Sequence, residues 1–141
     1  MKRLIAILLV LAIARPYIAA TSIHSDMVVL LDCSASMQAD DVAPTRFEKA
    51  KGEVLKLVDG MMPDQRMAIV SMGSNGEIIA EATGDKAILR RLIEDMEPEN
   101  GGGGEDEALS IASALASNLK EAQVIIYSDT QFSIDSDNYH S

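Results

Sequence analysis

The chain alternates between short, unbroken apolar runs and longer stretches in which apolar residues recur every three or four positions. Met27 to Leu31 is one such run, rich in β-branched and aliphatic residues, and reads as a central parallel strand. Pro44-Thr45 then opens a helix, with Thr45 placed to cap it and Glu48, three residues on, to reach back in a capping box. Phe47, Ala50, Val54, Leu55 and Val58 fall on one face of that helix, and Gly60 ends it. Met67 to Met72 predicts a second strand. Gly73-Ser74-Asn75-Gly76 turns the chain, the Asn-Gly pair signalling a hairpin, into a third strand from Glu77 to Glu81.

Asp85 is placed to cap a second helix with a stripe of Ile88, Leu89, Leu92, Ile93 and Met96, stopped by Pro98. Asn100 and the glycines Gly101 to Gly104 predict a flexible loop. A third helix runs from Glu105 to about Lys120, and its Ala108, Ile111, Ala112, Leu115, Ala116 and Leu119 mix small and aliphatic residues on a face suited to close packing on a sheet. Gln123 to Ser128 is the fourth strand, and residues 131–141 form an acidic tail. The order β-α-β-β-α-α-β predicts an α/β, Rossmann-like doubly wound sheet over residues 26–130, with one hairpin strand at an edge. Right-handed crossovers seat the first and fourth strands side by side, with helices on both faces.

Charge narrows the partners. Of 141 residues, 22 are acidic and 12 basic, and every acidic residue lies after His24. Lys2, Arg3 and Arg15 precede it, so the remainder carries nine basic against 22 acidic groups. Such a surface repels phosphates and tolerates cations, which argues against nucleic-acid binding. The single cysteine, Cys33, excludes an internal disulfide and a cysteine-based zinc cluster, and reads as a small buried filler. His24 and His140 read as solvated loop residues.

The amino terminus changes the picture again. Residues 1–22 hold a basic start, an uncharged run from Leu4 to Ala14, then Arg15-Pro16 and a second apolar stretch. A secretory signal peptide has this layout. A snorkelling Arg15 extends the apolar segment to Ala20, enough for a membrane anchor, the reading preferred here. In both cases Lys2 and Arg3 stay on the cytoplasmic side, so a single-pass protein of the cytoplasmic membrane with an extracytoplasmic acidic domain is expected.

The candidate chemistry sits at strand ends. Asp32, Ser34 and Ser36 follow the first strand at alternating positions, and Asp129 follows the fourth. Ligands of open parallel sheets bind in the crevice at the carboxyl ends of the strands. Hard oxygen donors gathered there suit a divalent cation such as Mg²⁺. The plainer reading is an aspartate capping a turn, with serines satisfying backbone groups.

The segments MVVLLDCSASM, TRFEKAK, RMAIVSM, the glycine loop before EALSIA, and VIIYSDT together resemble a von Willebrand factor A domain over roughly residues 27–130. The stretch RLIAILLVLAIARP resembles the membrane helix that precedes this domain in bacterial Bat-type, aerotolerance-associated membrane proteins. The resemblance implies sheet order 3-2-1-4 with strand three antiparallel, as the opening of a 3-2-1-4-5-6 sheet. The last two strands are absent, which leaves strand four as an exposed apolar edge and suggests a fragment of a longer protein. It implies a metal-ion-dependent adhesion site built from Asp32, Ser34, Ser36 and Asp129, holding Mg²⁺, Mn²⁺ or Ca²⁺. Gly103 stands where the family has a threonine, with Glu105 or Asp106 as substitutes for the missing hydroxyl.

The function so implied is a membrane-tethered, non-enzymatic module that binds a protein partner through a carboxylate. Cooperation with a MoxR-type AAA ATPase, or with other domains of the same kind, follows from the Bat resemblance. The missing hydroxyl keeps a metal-free interaction domain as the alternative. An enzymatic alternative is a haloacid-dehalogenase-like phosphotransferase with Asp32 as nucleophile and Asp129 on Mg²⁺. That chemistry wants an aspartate as general acid where this chain has Ser34.

Overall fold

The computed structural model describes residues 26–38, 45–119 and 121–128. Along them run β1 (Met27–Asp32), a one-turn 3-10 helix (Ala35–Gln38), α1 (Arg46–Asp59), β2 (Met67–Met72), β3 (Gly76–Thr83), α2 (Lys86–Asp95), α3 (Glu105–Ser117) and β4 (Gln123–Tyr127). The strands form one sheet in the order β3-β2-β1-β4. β1 pairs in parallel with β2 and β4, and β3 runs antiparallel to β2, as expected. The segments 1–22, including the proposed anchor, and 131–141 lie outside the described residues, as do His24 and His140. Among the described residues no helix is long and apolar enough to cross a membrane.

Alternation along the strands divides the core into two layers. Val29 and Leu31 of β1, Met67 and Ile69 of β2, and Ile125 and Tyr127 of β4 face α1 and α2, where Phe47, Ala50, Val54, Val58, Leu89 and Ile93 meet them. Val28, Leu30, Ala68, Val70, Met72, Val124 and Ile126 face α3. The inward face of α3 is Ala108, Ala112 and Ala116, one per turn, so the helix lies close on the sheet. Burial of both sheet faces explains why β1 and β2 are unbroken apolar runs rather than alternating ones.

Thr45 and Asp85 cap their helices as the local sequence indicates. Thr45 accepts the Glu48 N–H at 3.2 Å, and Asp85 accepts those of Ala87 and Ile88 at 3.1 and 3.2 Å. Lys51 is buried in α1, where its Nζ donates to the carbonyls of Glu94 and Met96 at 2.9 and 3.0 Å. It thereby ties α1 to the carboxyl end of α2, where a cation also meets the negative end of the helix dipole.

Four expectations need adjustment. Ile88 is 42% exposed, because Leu89 and Ile93 already fill the inward face of α2 and Ile88 lies one residue, about 100°, around the helix. The third strand is longer than Glu77 to Glu81, since pairing with β2 extends from Gly76 to Thr83. α3 stops at Ser117, where Asn118 and Leu119 donate to Leu115 and Ala116 and tighten the last turn. β4 ends the sheet order, but its five residues are buried, so its apolar side chains are covered even though the strand is terminal.

Candidate functional site

Asp32 is the last residue of β1, and its position in the strand alternation points it to the α3 side of the sheet. It is 3% exposed. A carboxylate buried that deeply requires hydrogen-bond donors, and it has them on both oxygens. Oδ1 accepts the Ser34 N–H at 2.8 Å, and Oδ2 accepts the Ser128 hydroxyl at 2.5 Å. β1 and β4 are neighbours with Leu31 beside Tyr127, which sets Ser128 one step beyond, next to Asp32.

The chain then winds into the 3-10 turn, and the turn brings Ser34 Oγ and Ser36 Oγ to 3.1 Å of each other. Met37, fully buried on the α1 side, anchors it. The Ala35 N–H donates to Gly101 O at 3.0 Å, which draws the glycine loop alongside. That loop is held rather than free: the Glu99 N–H also donates to Cys33 O at 2.7 Å, and the Gly104 N–H to Gly73 O at 3.0 Å. Ser34 is half-buried and Ser36 exposed, so the group opens to solvent on the serine side.

The structure therefore brings together Asp32, Ser34 and Ser36. Asp129 lies outside the described residues, although Ser128 before it is in place. Glu105 and Asp106 stand with Glu107 in the first turn of α3, where carboxylates favour the helix amino terminus, and Glu107 there accepts the Gly76 N–H at 3.0 Å. Gly103 has φ +103°, a conformation that strains any L side chain, so a threonine is poorly accommodated at that position. Gly102 is the glycine aimed at the site: a Cβ there would lie 3.5 Å from Ser34 Cβ, ordinary contact.

Cys33 is buried and its thiol donates to Leu31 O at 3.4 Å. Burial first, then the charges of Glu99 and Asp32, push the thiol up to about 12, so it is a packed side chain and not a nucleophile at neutral pH. Two residues escaped the sequence reading as parts of this site. Ser128 had a usable signal, a hydroxyl one residue before a strand-end aspartate. Glu99 had none.

Chemically, one carboxylate and two hydroxyls form a hard oxygen set, suited to Mg²⁺ or Mn²⁺ rather than to metals that seek nitrogen and sulfur. Among the described residues no group of three His, Cys, Asp or Glu side chains is placed to hold a metal.

Comparison with known proteins places the fold. BatB from Bacteroides thetaiotaomicron is 27% identical, with a TM-score of 0.60 over 64% of this chain and 45% of that structure. An aerotolerance-related membrane protein from Bacteroides fragilis is 22% identical, with a TM-score of 0.53 over 81% of this chain and 74% of the other. Proximal thread matrix protein 1 of the mussel byssus, whose MIDAS motif is occupied by zinc, is 22% identical with a TM-score of 0.60, over 73% of this chain and 28% of that one. The chain thus spans less than half the length of the BatB structure. No match emerged among curated proteins. The family model of the von Willebrand factor type A domain matches residues 27–131, and the chain belongs to that family.

Proposed function

We propose that this protein is a membrane-tethered interaction module that binds a divalent cation, Mg²⁺ or Mn²⁺, through Asp32, Ser34, Ser36 and Asp129, and uses it to capture a carboxylate of a protein partner. The observation that carries the reading is the pairing of Ser34 Oγ with Ser36 Oγ at 3.1 Å, beside a buried Asp32 and open to solvent. A cation held by one side of a crevice keeps positive charge toward the other, and a carboxylate completes its coordination. The mostly acidic surface would otherwise repel such a partner, so the ion gives the contact its selectivity. A tether through residues 1–22 and an extracytoplasmic domain follow from the basic start and apolar run. A MoxR-type ATPase or a second domain of the same family remains the partner suggested by Bat-type relatives.

Metal-free partner binding is the second reading, and a specific observation favours it. Both oxygens of Asp32 already accept protein hydrogen bonds, and glycine replaces the family's threonine. Thermal melting of the full chain in detergent separates the two. Cation at tenfold excess over Kd stabilises a folded state by about 1.4 kcal/mol, a shift of a few degrees at this size. Mg²⁺ or Mn²⁺ should raise the midpoint relative to chelator, and Asp32→Ala should remove the difference. Superimposable curves in Mg²⁺, Mn²⁺ and chelator would make the metal-free module the better account.

A further inference from the structure

Three loops meet at the carboxyl ends of β1 and β2, and Glu99, in the loop between α2 and α3, bonds to the other two. Its N–H donates to Cys33 O at 2.7 Å, and its carbonyl accepts from Gln38 Nε2 at 2.9 Å. The main chain of Glu99 is thereby stitched to both sides of the segment that carries Ser34 and Ser36. Its carboxylate reaches the other way, where Oε2 accepts the Ser74 N–H at 2.9 Å in the β2–β3 hairpin. That reach depends on Gly73, because a Cβ there would lie 2.3 Å from Glu99 Cδ. Farther along, Gly101 O takes the Ala35 N–H and the Gly104 N–H goes back to Gly73 O, both at 3.0 Å. The glycine segment is thus fastened just before it begins, at its first glycine and at its last.

We propose that Glu99 is a positioning residue that clamps the glycine segment against the Ser34 turn, with the β2–β3 hairpin as its fixed support, and so sets the cation affinity of the site. Four successive glycines would otherwise retain a large backbone entropy, lost each time the site had to order around an ion. A segment ordered beforehand does not carry that cost into binding. The effect on affinity rests on the cation reading above. The clamp itself does not.

The test uses the full chain with Glu99→Ala, Glu99→Gln, Gly73→Ala and the double variant Gly73→Ala/Glu99→Ala. Gln keeps an oxygen for the Ser74 N–H and loses the charge. The Gly73→Ala methyl displaces the flexible carboxylate and leaves its charge in place. In chelator, amide hydrogen exchange at Ala35, Ser74 and Gly104 should accelerate about tenfold in Glu99→Ala and Gly73→Ala, and stay near wild type in Glu99→Gln. Mn²⁺ affinity should fall about tenfold in the same two variants, the double variant should be no weaker than either, and Glu99→Gln should remain within about threefold of wild type. If Glu99→Gln is as weak as Glu99→Ala, charge and not position governs the site, and the proposal is overturned. A wild-type chain that takes up no Mn²⁺ would remove the cation reading, and the exchange rates would still decide the clamp. Unchanged exchange at Ala35 and Gly104 overturns it. Should Glu99→Ala fail to fold, Gly73→Ala carries the same comparison.

Discussion

Ser128 donates its hydroxyl hydrogen to Asp32 Oδ2 at 2.5 Å, joining the ends of β4 and β1 across a sequence separation of 96 residues. The bond is short, charge-assisted and wholly buried. Ser128→Ala leaves the Asp32 carboxylate buried with one donor fewer, which should cost about 1.5–3 kcal/mol in chelator and lower the melting midpoint by several degrees. With Mg²⁺ present a bound cation would occupy the vacated lone pair, so the metal-induced shift should be larger in the variant than in wild type. Melting curves in chelator and in Mg²⁺ test both statements. An unchanged midpoint in chelator would show that the bond contributes nothing net.

Lys51 gives a second prediction, away from the site. Its Nζ donates to two carbonyls at the end of α2, lies 3.8 Å from Glu48 Oε1, and sits 5.5 Å from the centre of the Phe47 ring. Lys51→Met preserves the apolar stem and removes the charge and donors. It should destabilise the fold by about 1–3 kcal/mol, mostly because two carbonyls lose their partner. Urea unfolding measures the difference, and a loss below about 0.5 kcal/mol would mean that water replaces the lysine.

These relationships show where sequence reading reaches its limit. The alternation of Val28 and Leu30 against Val29 and Leu31 is a local signal, and it assigns both core layers once the strand is recognised. The hairpin at Asn75-Gly76 and the helical crossovers fix which strand reverses. Ile88 misled because its hydrophobicity is visible in sequence while the rotation of α2 about its axis is set by α1. Asp32, Ser34 and Ser36 were legible because a strand end and a tight spacing suffice to cluster them. Ser128 and Glu99 act through partners far along the chain, at separations of 96 and 25 residues; the strand-end Ser-Asp pair marks the place of Ser128 but not its partner, and nothing local marks Glu99. The backbone angle that makes Gly103 unsuited to a threonine is likewise a product of loop packing.

Alkaline pH supplies a third prediction. Burial pushes the Cys33 thiol from its ordinary 9.0 up to about 12. An unfolded chain releases that proton near pH 9.0 while the folded one retains it, so above this pH the unfolded state binds fewer protons and stability declines as pH rises. The contribution is complete below the unfolded value and gone once pH passes the folded one. Tyr127 is also raised from 10.0, by burial and then by Glu53, and adds the same sign at higher pH. Urea midpoints in chelator should fall from pH 9 upward, and Cys33→Ala should flatten the first part of the decline. An equally steep fall in the variant would assign it elsewhere. Maleimide labelling of native Cys33 at neutral pH should be correspondingly slow.

The two central glycines of the loop predict opposite outcomes for the same substitution. At Gly103, φ +103° strains any side chain, and a β-branched one most, so Gly103→Thr should cost about 1–3 kcal/mol or rearrange the loop. At Gly102 the new Cβ would rest 3.5 Å from Ser34 Cβ without overlap. Gly102→Thr therefore brings a hydroxyl beside the serine pair with little strain, and also narrows the unfolded ensemble, worth about 0.4–1 kcal/mol. If Asp32, Ser34 and Ser36 hold a cation, that hydroxyl should increase Mg²⁺ affinity severalfold, read as a larger melting shift between chelator and Mg²⁺. Titration calorimetry on the two variants decides the matter. Tighter binding by Gly103→Thr, with Gly102→Thr unchanged, would mean that the loop rearranges around the ion.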